Sequence, residues 1–115
     1  MALSRFRVRS PERDRDTDRD RQRRLSGFLS DIRAEMERER QGLQARYEKV
    51  MADAAFSQQA LEDDSVGIAV SSKIDDMTEA MIRYAKRMAS LETQIGFVIE
   101  VDGRIERFFE ENAGR

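Results

Sequence analysis

The chain has no cysteine, no histidine and no tryptophan, and its one proline is Pro11. Without cysteine there is no disulfide framework, no thiolate nucleophile and no cysteine-based zinc site. Without histidine, the commonest general base and the commonest transition-metal ligand are both missing. Long apolar runs are missing as well. No window comes near the roughly 18 uninterrupted apolar residues that mark a membrane-spanning helix. The first residues, Met1-Ala2-Leu3-Ser4-Arg5, lack the apolar core of a secretory signal, and acids recurring from Glu12 argue against an organellar transit peptide. The expectation is a cytoplasmic protein that neither spans nor coats a membrane.

Chemical motifs fail one by one. Gly67, Gly96 and Gly103 are isolated, so no glycine-rich loop exists to cradle a phosphate. Ser71 and Ser72 have no base beside them and serve better as helix caps. The acids Glu62, Asp63, Asp64, Asp75, Asp76 and Glu79 gather around one segment. Setting Gly67 at the invariant glycine of a calcium loop, however, puts Val66 and Lys73 where oxygen ligands belong. A di-metal carboxylate bundle needs Glu-x-x-His pairs, which a histidine-free chain cannot form. The sequence therefore points to no catalytic residue, no metal and no cofactor, and so to a protein that is not an enzyme.

What the chain does have is charge, 38%, set against 39% apolar residues, a mixture between that of a compact globule and that of an extended coiled-coil or partly disordered protein. From 74 to 109 the apolar residues fall into one phase: Ile74, Met77, Met81, Tyr84, Met88, Leu91, Ile95, Val98, then Asp102 as the exception, then Ile105 and Phe109. A straight helix repeats every ~3.6 residues, so apolar positions alternating three and four apart describe a seam against another helix. These ten apolar residues are the candidate interface. The methionines among them suit an adaptable groove, although such a stripe is more often plain core.

A first long helix is expected over 23–63. Leu25, Leu29, Ile32 and Met36 keep one frame; Leu43, Tyr47, Val50, Ala54 and Leu61 keep another, with Glu39 and Arg40 in the gap. This is either a four-residue stutter or the ordinary drift of an amphipathic helix, and the drift is the simpler account. A loop is expected over 64–72, with Val66, Ile68 and Val70 tucked beneath the helix ends. A second helix then runs over 73–111, capped by Ser72 or Ser71 and loaded with Asp75, Asp76 and Glu79 in its first turns. Residues 97–109 carry a competing signal, two β-rich runs around Asp102-Gly103 that could form a hairpin. The unbroken phase of Ile105 and Phe109 favours helix.

The N-terminal region is of another kind. Glu12 to Arg21 alternates in sign without an apolar residue, and 1–22 is expected as a disordered tail. Residues 1–24 hold nine arginines against five acids, a net +4, and the rest of the chain carries −6 to give −2 overall. Arg5, Arg7, Arg9, Arg23 and Arg24 are accordingly a candidate anion-binding arm, blunted by the interleaved aspartates.

The predicted fold is all-α: two long helices in an antiparallel coiled-coil hairpin over 23–111, behind the tail. One seam leaves Ile82, Phe97, Ile99, Val101 and Phe108 uncovered, and apolar residues on several sides of a helix imply burial on several sides. Self-association, as a four-helix bundle if dimeric, or a protein partner would bury them. The expected function is a non-enzymatic helical assembly or adaptor protein; the rival is a dimeric nucleic-acid binder using the arginine arm. Asp102 on the seam invites either a pairing arginine, Arg24 or Arg33, or a frayed and hydrated end.

Overall fold

The computed structural model describes residues 10–62 and 68–113. Among these there is no strand: the chain forms α1 (Pro11–Glu62) and α2 (Ile68–Asn112), of 52 and 45 residues. Contacts divide it into two units, one of 34–97 and one combining 1–33 with 98–115. The first is called the loop unit and the second the terminal unit, and each is taken separately.

In the terminal unit, α1 starts at Pro11 rather than near residue 23. Residues 11–22, expected as disordered, are helical because local signals suffice where apolar ones are lacking. Ser10 Oγ accepts the Arg13 N–H at 3.1 Å, which satisfies one of the helix's orphan donors. Pro11 follows at the position where its missing N–H costs nothing, and Glu12 and Asp14 favour the positive end of the helix dipole. The alternating charges then fall three or four apart: Arg19 pairs with Asp16, Arg21 with Asp18 and Arg24 with Asp20, at 3.8, 3.9 and 3.0 Å. Each exposed pair adds only ~0.2–0.5 kcal/mol, but successive pairs repeat along the helix. The rest of the expected tail, 1–9, lies outside the described residues.

The α2 portion of this unit settles the ambiguity over 97–109, all of which is helical. Gly103 is accommodated with the Arg107 guanidinium 3.5 Å from where a Cβ would stand. At its end, Asn112 Nδ2 donates to the Phe108 carbonyl at 2.7 Å and the Ala113 N–H to the Glu110 carbonyl at 3.3 Å, so two terminal acceptors are satisfied.

In the loop unit, 34–62 of α1 and 68–97 of α2 form a helical hairpin. The connection is shorter than the expected loop of 64–72, since α2 begins at Ile68; residues 63–67, with Val66 and Gly67 among them, lie outside the described residues. Nothing in Ile68-Ala69-Val70-Ser71-Ser72 breaks a helix, so Ser71 and Ser72 stand inside the helix rather than at its cap. No acid occupies the first turn. Thr78 and Thr93 donate their hydroxyls to carbonyls four residues back, which lets these β-branched residues sit within α2.

The core of the loop unit is Leu43 from α1 with Leu91 and Ile95 from α2, Leu91 being 0% exposed. Full burial of such a side chain contributes ~1.5–3 kcal/mol. Around them burial follows the three-and-four spacing. Met36, Arg40, Tyr47, Val50, Ala54 and Leu61 on α1 are half-buried, as are Ile74, Met77, Met81, Tyr84 and Met88 on α2. The gap between the two α1 frames is thus filled by Arg40, through two successive steps of four, Ile32 to Met36 and Met36 to Arg40, and then three to Leu43. That is the spacing of a stutter.

Candidate interaction surface

The candidate site is a surface, built from what the seam covers and what it leaves bare. All ten expected interface residues lie on the covered side: Leu91 and Ile95 are buried, and Ile74, Met77, Met81, Tyr84, Met88, Val98, Ile105 and Phe109 are half-buried. Seven of them fall in the loop unit; Val98, Ile105 and Phe109 fall in the terminal unit. Their burial in the single chain leaves only part of this stripe open to a partner.

Charge brackets the seam of the loop unit. Arg87 donates twice to Glu39, from Nε at 2.6 Å and from Nη2 at 3.1 Å, a two-point fork. The hydrogen bond from Arg87 lowers the Glu39 pKa below the usual carboxylate value, with its positive charge acting the same way; the same bond raises the Arg87 pKa. Arg40 lies 3.8 Å from Glu92, while its own Nε is sealed from solvent without a hydrogen-bond partner. A shallow cavity of about 310 Å³ adjoins this pair, lined by Arg40, Gln44, Glu48, Met88 and Glu92 among others.

The terminal unit differs. None of its described residues is buried. Asp102 is half-buried within an unbroken helix, so this end of α2 is not frayed; its Oδ1 is sealed from solvent and lacks a hydrogen-bond partner. Arg24, one of the two arginines expected to meet it, hydrogen-bonds Asp20 instead. A groove of about 770 Å³ runs between Pro11, Asp14, Arg15, Asp18 and Gln22 on α1 and Phe108, Phe109 and Asn112 on α2. Phe108 and Phe109 meet edge to face, their ring centres 5.4 Å apart. One wall is aromatic and the other ionic because the apolar phase of α2 continues to Phe109, whereas α1 has no apolar partner to offer before Leu25.

Among the described residues, nine large apolar side chains are exposed: Leu25, Phe28 and Met51; Phe56, Ile68 and Ile82; Phe97, Ile99 and Phe108. Ile82, Phe97, Ile99 and Phe108 were expected off the seam; Val101 is half-buried. Phe28, Met51 and Phe56 were not anticipated. Phe28 had a signal, since it sits one residue ahead of the seam residue Leu29, as Phe108 sits one ahead of Phe109.

The anion-binding arm is only partly in view. Arg5, Arg7 and Arg9 lie outside the described residues, and Arg23 and Arg24 are exposed on α1. Arg19, Arg21 and Arg24 are each tied to an aspartate of the same helix, which leaves this stretch little net field for a phosphate backbone. No described helix is long and apolar enough to cross a membrane. Among the described residues, no group of three or more histidine, cysteine, aspartate or glutamate side chains is placed to hold a metal ion.

No protein-family model matches the chain, and no curated protein or solved structure matches it either.

Proposed function

We propose that the protein is a non-enzymatic helical assembly or adaptor protein that works by association of its helices with another helical surface, its own or a partner's. One observation carries this reading: among the described residues nine large apolar side chains are exposed and only three are buried. Scattered exposed leucines are ordinary, but an excess of bare over buried large side chains is not. The seam side chains are for the most part half-buried, so much of their apolar area also stays in contact with water. The remaining apolar surface supplies further stabilisation when another helix covers it.

Light scattering after size exclusion, run over a concentration series with circular dichroism on the same samples, tests the reading. A mass at a multiple of the chain, with helicity rising as association proceeds, is the expected result. A monomer at every concentration, fully helical and melting cooperatively on its own, would overturn it.

A further inference from the structure

On α1 of the terminal unit, Arg24, Phe28 and Asp31 stand four and three residues apart and so form one stripe. Phe28 is 64% exposed, and Arg24 and Asp31 are exposed on either side of it. Phe28 directly precedes Leu29, so it lies about 100° back around the helix from the seam. On α2, Val101 precedes Asp102 and Phe108 precedes Phe109, which gives the same rotation. The N-terminal turns of α1 lie against the C-terminal turns of α2, so the two helices run in opposite directions here. On antiparallel helices equal rotation puts both sets on one side. Phe28, Val101 and Phe108, with Leu25 at the margin, therefore share an apolar face.

We propose that this face binds a second copy of the chain, with α1 antiparallel to the α1 of that copy and Phe28 at the two-fold axis. The proposal rests on the association reading above and specifies its surface and occupant. Charge selects the occupant. The stripe reads positive, aromatic, negative in chain order, so an antiparallel copy sets Arg24 against Asp31 of the second copy and Asp31 against its Arg24. Phenylalanine meets phenylalanine between them. A parallel copy would instead place like charges together. Arg24 already donates to Asp20 at 3.0 Å, and a guanidinium with five N–H donors can hold both carboxylates. Gly27, whose missing Cβ would meet nothing within 4 Å, leaves room beside Phe28 for close approach.

The decisive experiment uses the full chain and its charge pair. Asp31→Arg alone, and Arg24→Asp alone, each create two like-charge contacts per dimer and should weaken dimerisation roughly tenfold or more, read by light scattering. The double variant R24D/D31R restores opposite charges and should recover at least most of that loss. Because the chain has no cysteine, Phe28→Cys is a unique thiol; a short bis-maleimide should join two copies through it, and Ile99→Cys, off this face, should not cross-link. Association unchanged by the single variants, no rescue by the double variant, or cross-linking at 99 in preference to 28 overturns this surface while leaving association standing. A wild-type chain that stays monomeric and fully helical overturns both.

Discussion

The loop unit and the terminal unit are made from the same two helices, yet among the described residues only the loop unit has buried side chains. Leu43 on α1 faces a stretch of α2 that supplies Leu91 and Ile95, and these are the three buried side chains. In the terminal unit α2 is at least as apolar, with Val98, Ile99, Val101, Ile105, Phe108 and Phe109, and still no described residue is buried. Beside Phe108 and Phe109 the difference lies in α1, whose residues 11–24 are charged or polar almost throughout; farther along, Leu29 and Ile32 are half-buried and Leu25 is exposed. A seam is a property of two surfaces, and an apolar stripe with an ionic neighbour remains a surface.

The largest effect should come from removing the difference at its source. Leu91→Ala empties the best-buried position of the loop unit and should cost about 2–5 kcal/mol, read as a lower midpoint in thermal or urea unfolding. Phe108→Ala in the terminal unit, where the ring is 59% exposed, should cost the monomer much less. Equal losses at the two sites would erase the contrast.

Next come the two charged breaks in the stripe, Arg40 in the loop unit and Asp102 in the terminal unit, each with one sealed atom that has no hydrogen-bond partner. Replacing such a group with an apolar one removes its desolvation cost, so Asp102→Leu should raise the unfolding midpoint by the equivalent of ~1–3 kcal/mol. Arg40→Leu should gain less, since it also gives up the contact with Glu92 at 3.8 Å. A fall in stability at Asp102→Leu would mean the carboxylate has a role in the fold.

How much of this could be read from residues alone follows the same division. The phase of α2 was legible because its apolar residues repeat from Ile74 to Phe109 with one exception, and the half-buried positions fall on it. The start of α1 was not, because periodicity is silent where no residue is apolar; Ser10-Pro11-Glu12 and the Asp/Arg spacing were the signals to weigh. The start of α2 was missed because small and β-branched residues at 68–72 resemble a connector although none stops a helix. Phe28 escaped notice because a residue one step off a seam belongs to no pattern until its counterpart, Phe108, is set beside it.

Smaller effects test the local supports. Ser10→Ala removes the hydroxyl that caps the Arg13 N–H and should cost about 1 kcal/mol, confined to the first turns of α1 and visible as faster amide exchange there. Smallest is the Glu39–Arg87 fork. Its carboxyl titrates lower in the folded chain than in the unfolded one, so its contribution is present above the ordinary glutamate value. That contribution is lost as pH falls from there through the depressed value. Acid titration of Glu39→Gln beside the wild type should show the two midpoints converging over that interval.

The charged start of α1 has a consequence in time. Its order comes from a cap and from ion pairs within the helix itself, Arg19 with Asp16, Arg21 with Asp18 and Arg24 with Asp20. Helical segments held this way open and re-form at the rate of the helix–coil transition, on the order of 0.1–1 μs, whereas buried side chains such as Leu91 open only when their unit does. Amide protection along α1 should therefore rise gradually from Pro11, so that this helix is a fast clock at one end and a slow one near Leu43.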